Sequence, residues 1–154
     1  MENKELLLKA AFCCMACDGD IAAEEISLVK RMTSELQLFG GLDVEKKLNE
    51  FVYQINQTGF TFLLNFLNEV SNANLSESDE LTLVRVAIAT IEADNNVEYR
   101  EVKFFKKIRA LLSVSDEKIE KQYPDRDDLD TYLFPDIKDS EPLEFNVTFS
   151  QISL

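Results

Sequence analysis

Met15-Ala16-Cys17-Asp18-Gly19-Asp20-Ile21-Ala22-Ala23-Glu24-Glu25 reads as the end of one helix, an acidic turn and the start of another. Asp and Gly are turn residues for physical reasons: Asp side chains bond nearby backbone amides, and Gly accepts backbone angles closed to other residues. Glu25 stands three positions after Ala22, where a capping-box glutamate reaches back to the first free N–H of its helix. Ahead of the turn, Leu7, Ala10, Ala11, Cys14 and Cys17 recur at spacings of three and four, which predicts an amphipathic helix over residues 4–17. Behind it, Ile26, Val29, Met32 and Leu36 form a second stripe over residues 23–38, ended by Gly40-Gly41.

The same arrangement returns 76 positions later as Ala93-Asp94-Asn95-Asn96-Val97, followed by Glu101. That shift pairs Ala11 with Ala87, Asp18 with Asp94, Glu25 with Glu101, Lys30 with Lys106 and Leu36 with Leu112, and it keeps Ile21/Val97, Ile26/Val102 and Met32/Ile108 apolar. A duplicated helix-turn-helix unit follows from it.

The remaining segments fill in around these two units. Asp43 is an N-cap for a third helix carrying Val44, Leu48, Phe51, Val52 and Ile55, with Gly59 at its end. Phe60, Leu63, Leu64, Leu67 and Val70 predict a fourth, and 71–74 a loop. Ser76, with Asp79 three residues on, caps a fifth that carries Leu81, Val84, Ala87, Ile88 and Ile91. A sixth spans about 98–112 with Val102, Phe105, Ile108 and Leu112 inward, and Ser115 caps a seventh ending at Gln122. The fold class is therefore all-α: about seven helices in two related halves, in one domain over 1–123. Residues 124–154 read as an acidic tail. Its 125–144 portion holds eight Asp or Glu against two Lys or Arg and should be solvated and poorly packed. Leu143, Phe145, Val147 and Phe149 then alternate with polar residues at the period of a half-buried strand. Such a strand could pair across a dimer, lie on the helices, or open a further domain.

At its two turns the chain resembles the TerB-like tellurite-resistance family, in which a helix ends in an Ala-Asp-Gly-like turn, an aliphatic residue follows, and a Glu opens the next helix. The likeness covers roughly residues 5–122 and rests on Ala16 to Ile21 with Glu24-Glu25, and on Ala93 to Val97 with Glu101. It implies a non-enzymatic, all-helical fold whose acidic turns converge at one end, a part in divalent-cation binding, and a place in bacterial chemical-stress responses beside a membrane-embedded protein partner. Three departures stand out: Cys17 where Ala is usual, Ala22-Ala23 for a Ser-type cap, and Asn95-Asn96 for the second Gly-Asp.

A hard cation such as Ca²⁺ takes six to eight oxygens, and Asp18, Asp20, Glu25, Asp94, Asn96 and Glu101 are the candidate metal donors. A complete EF-hand loop does not fit, because Cys14 and Ala16 would fall at its first and third ligand positions; in the second copy those places go to Thr90 and Glu92. The competing account needs no metal: Glu25 and Glu101 are capping-box glutamates, and the Asp and Asn residues are ordinary turn formers. Both roles can coexist.

The formal charge of −13 argues against nucleic acid and anionic lipid as partners and suits a cation or a basic protein patch. No apolar run reaches the roughly 18–20 residues of a membrane span, and Met1 to Glu5 lacks the basic start of a signal peptide, so the expected compartment is the cytoplasm, with the membrane reached only through a partner. Cys14-Met15-Ala16-Cys17 is formally a C-x-x-C, yet three cysteines and no histidine do not make a four-ligand zinc site. A reactive cysteine also sits at a helix N-terminus rather than near its end, so these thiols are expected to be buried packing residues. With no phosphate loop, nucleophile elbow or histidine base, no catalytic residues are assigned. The alternative to cation binding is a metal-independent module whose acidic surface docks a basic protein.

Overall fold

Helix α1 (Asn3–Ala16) is enclosed on every side: Leu6, Leu8, Phe12, Cys13 and Met15 are buried along with the predicted face of Leu7, Ala10, Ala11 and Cys14. The expectation of an amphipathic helix is thus corrected. A helix apolar all round belongs in the middle of a domain, and the small residues Ala10, Ala11, Cys13 and Cys14 let neighbours approach it closely. The computed structural model describes the chain except residues 1, 2, 18, 36, 37, 94, 96, 98, 127 and 134–147 and the side chains of 130 and 131. Around α1 lie α2 (Ala23–Ser34), α3 (Val44–Thr58), α4 (Phe60–Asn72), α5 (Glu77–Ile91), α6 (Tyr99–Arg109), α7 (Asp116–Lys121) and the single turn α8 (Asp130–Leu133). The fold is all-α, and no strand occurs among the described residues.

The most extensive packing is between α1 and α5, the first helices of the two repeat units, while α1 also meets α6 and α2 meets α5. The Asn3 amide donates to the Asp79 carboxylate, and those two positions are themselves 76 apart (79 − 3). The halves agree in finer detail. Helices α2 and α6 start at Ala23 and Tyr99, again 76 apart (99 − 23). Gly19 has φ 88° and Asn95 has φ 59°, so the asparagine takes the glycine's left-handed conformation, which Asn tolerates better than other side chains. Gly19 N–H donates to Ala16 C=O at 2.9 Å and Asn95 N–H to Glu92 C=O at 3.1 Å, the same turn bond in each half.

Local signals set the helix ends. Asp43 Oδ1 accepts from Lys46 N–H at 3.2 Å, Ser76 Oγ from Asp79 N–H at 3.1 Å and Ser115 Oγ from Lys118 N–H at 3.3 Å. Gly59 ends α3 at φ 60° with its N–H on Ile55 C=O at 2.7 Å. In α4 the buried face is Phe62, Leu63, Phe66 and Val70, whereas Leu64, predicted inward, is 44% exposed. Phe62 joins Phe12 and Phe51 in an aromatic cluster with centroids 5.6–6.0 Å apart, geometry worth up to about 1 kcal/mol per pair beyond burial.

The described start of the acidic tail is packed where solvent was expected; residues 134–144 lie outside the described residues. Leu129, Tyr132 and Leu133 are buried: Arg126 pairs bidentately with Glu92 at the end of α5 at 2.8 and 2.8 Å, Tyr132 O–H donates to Glu92 at 2.8 Å, and the Tyr132 ring meets Phe105 of α6 edge-on. Leu143, Phe145 and Val147 lie outside the described residues. In 148–154 the buried side chains are Phe149 and Ile152, three apart, a spacing close to that of polyproline II.

Candidate functional site

Near the C-terminal end of α1, Cys14 is fully buried and lies within electrostatic reach of Glu25 in α2 and Glu101 in α6, the helices that follow the two turns. Burial pushes the Cys14 thiol far above its ordinary range, and the Glu101 and Glu25 carboxylates push it further. The repeat-related glutamates therefore act on one atom from opposite halves of the molecule. Both are buried, at 3% and 4% exposure, although each opens a helix whose neighbouring side chains Ala23, Glu24 and Tyr99 face solvent. Cys17 ties the same region together, its S–H directed at Cys14 C=O at 3.3 Å and Arg100 C=O at 4.0 Å.

Glu25 does the capping work expected of it: Ala22 N–H donates to Glu25 Oε1 at 2.8 Å, and its second oxygen, Oε2, is likewise shielded from solvent. Asp20 is exposed and lines a cavity shared with tail residues Thr148 to Ile152. Asp18, Asp94 and Asn96 fall outside the described residues, so of the six candidate donors the structure describes Glu25 and Glu101, both buried and both acting on Cys14, and Asp20, which is exposed. Among the described residues no group of three or more His, Cys, Asp or Glu is gathered closely enough to hold a metal. The chemistry of the donor set still fits a hard cation, since every candidate offers oxygen. Glu92, weighed as a loop position in the second copy, is instead committed to Arg126 and Tyr132.

Cys13, Cys14 and Cys17 are free thiols with no exposed surface. Burial is the first cause of the upward shift at Cys13 as at Cys14, so desolvation keeps these two thiols protonated.

A second arrangement was not foreseen from sequence. Along one side of α3, Asn56 and Asn49 each hold the backbone of a single tail residue at both ends. Asn56 Nδ2 donates to Phe149 C=O at 3.0 Å while Phe149 N–H donates to Asn56 Oδ1 at 2.8 Å. Asn49 does the same to Ile152, at 2.9 and 2.7 Å, and Leu154 N–H donates to Glu45 Oε1 at 2.8 Å. The one sequence signal was the seven-residue spacing of two asparagines on a helix whose apolar face lies elsewhere. Compared with known proteins, the chain matches no family model, no curated protein and no solved structure.

Proposed function

We propose that this chain is a non-enzymatic helical module of the TerB-like kind that binds a divalent cation of the calcium type where its two acidic turns approach each other, and that it serves a bacterial chemical-stress response beside a protein partner. The observation that carries this reading is the burial of Glu25 and Glu101 around one thiol. Two carboxylates in a low-dielectric region repel, and a cation between them would relieve both that repulsion and the cost of taking them out of water. Asp18 and Asp20 from the first turn, with Asp94 and Asn96 from the second, are the residues that would complete an oxygen shell. The ion would supply positive charge and a cross-link between halves. The chain's own residues hold the turns in place through the left-handed Gly19 and Asn95 and the Glu25 cap. The non-enzymatic reading draws support from Glu80 and Glu92, whose carboxylates are committed to backbone amides and to Arg126, and from thiols that burial keeps inert.

Calorimetric titration of metal-stripped protein with Ca²⁺ tests the proposal. Heat of binding and a raised melting temperature are expected, both lost in Asp18→Ala with Asp94→Ala. No heat and no melting shift in excess Ca²⁺ would sink it. The metal-independent alternative, docking of a basic protein patch on the acidic surface, is favoured by the net charge of −13 and would show as salt-sensitive capture that survives both substitutions.

A further inference from the structure

Residues 148–154 are held in the manner of a ligand rather than as a piece of secondary structure. Among the described residues no ladder or helix bond secures them; side-chain amides of α3 grip the main chain, and Phe149 and Ile152 are buried. Thr148, Ser150, Gln151 and Ser153 face solvent. The spacing is a geometric match: seven residues of α-helix advance about 10.5 Å, and three residues of extended chain about 9–10 Å. Amides placed at 49 and 56 therefore meet every third residue of a chain running antiparallel to the helix.

Beside the tail a cavity of about 510 Å³ is lined by Asp43, Glu45, Lys46, Glu50, Tyr53 and the tail's own Gln151. Three carboxylates against the Lys46 ammonium, with Lys47 pairing Glu50 at 3.4 Å, leave the lining net acidic; Glu45 accepts the Leu154 N–H and Asp43 caps Lys46 N–H, and the tail adds a neutral amide. The tail thus satisfies the backbone grip and the two apolar positions but brings no positive charge to this net acidic lining.

We infer that the α3 face of Glu45, Asn49 and Asn56 is a receptor for an extended segment of a partner protein, with an aromatic residue at the Asn56 position, an aliphatic one three residues on, and a Lys or Arg just before the aliphatic residue; the chain's own 148–154 segment is its tethered stand-in. Proline is excluded at both gripped positions, because each must donate an N–H. Specificity comes from the two apolar anchors and the basic residue, and the amide grip is indifferent to sequence, as in other modes that recognise extended main chain. The receptor stands apart from the cation reading: either can fail without the other.

The test uses the full chain and a fluorescein-labelled peptide of residues 146–154. Phe149→Ala with Ile152→Ala weakens the tethered segment, which otherwise competes at an effective concentration near the millimolar range. The expected result is peptide uptake by this variant at least tenfold tighter than by the unaltered chain, abolished when Asn49→Ala and Asn56→Ala are added. A peptide carrying Gln151→Arg should bind several-fold tighter still, with the gain disappearing at high salt. No uptake by the variant, equal uptake by both chains, or uptake indifferent to Asn49 and Asn56 would overturn the receptor. An arginine peptide no tighter than the native one, or uptake seen solely as tail exchange in a concentration-dependent dimer, would overturn the partner assigned to it. Should the variant fail to fold, amide exchange on the unaltered chain decides: excess arginine peptide should speed exchange at Phe149 and Ile152 and leave α1 and α5 unchanged, and no change at those two amides refutes the receptor.

Discussion

Glu25→Gln separates the two roles that one side chain carries. Glutamine keeps an oxygen for the Ala22 N–H that Glu25 Oε1 accepts at 2.8 Å, so the cap survives while the charge is lost. Without metal the variant should lose less stability than Glu25→Ala, because the cap bond is retained. Glu25→Ala is the control: it loses the cap and should cost about 1 kcal/mol. With Ca²⁺ at a hundredfold excess over its dissociation constant, the parent gains about 2.7 kcal/mol. For a domain of this size that is a rise of about 5–11 °C in melting temperature. The Gln variant should gain less than about 1 kcal/mol under the same conditions. Thermal melts by circular dichroism, with chelator and with Ca²⁺, give all the required values. Equal shifts for parent and Gln variant would refute a charge role for Glu25, and a Gln variant as damaged as the Ala variant without metal would refute the separation itself.

Three further outcomes follow from geometry away from the turns. Glu80, buried in α5, accepts from Ser113 N–H at 2.9 Å and Val114 N–H at 2.8 Å, so Glu80→Ala should cost about 3 kcal/mol in urea denaturation, and a loss below about 1 kcal/mol would contradict the assignment. Cys13 and Cys14 are raised chiefly by burial, and Tyr132 by burial and then by its bond to Glu92. Each of these groups holds its proton longer in the folded chain, so stability should be full below about pH 8.5 and decline as pH rises through the unfolded thiol and phenol range; a flat melting temperature from pH 7 to 11 would contradict this. Asn95→Val should cost about 1–2 kcal/mol because a β-branched side chain resists φ 59°, whereas Asn95→Gly should be close to neutral; equal stabilities would show that the turn relaxes.

What could be read from sequence was local. Caps at Asp43, Ser76, Ser115 and Glu25 span three residues, so the partner is named by counting, and all four bonds form. The repeat was legible because equal turns need equal residue types, and Asn95 in the glycine's place shows which property was retained: backbone angle, at the expense of a smaller side chain. What escaped depends on residues far apart in the chain. The Asn49 and Asn56 bonds to the tail cross about a hundred positions, and nothing in either segment alone specifies the other. Glu92 looked like a turn carboxylate until Arg126 and Tyr132, 34 and 40 residues on, claimed it. Helix α1 misled for another reason: its Ala and Cys residues register weakly as apolar, and an all-round core helix then passes for a one-sided one.

A helix that grips main chain at three-residue intervals also acts as a reading frame. Deleting one residue between Phe149 and Ile152 would leave composition and hydropathy nearly untouched, yet no placement could then seat both anchors at once. A displacement of three residues restores the grip and changes only which side chains fill the apolar positions; in this tail Asn146 would replace Phe149 as an anchor, so a single frame is good. A segment with apolar residues repeating every third position would have several equivalent frames. It would gain affinity with length through that multiplicity alone, and could move along α3 in discrete steps.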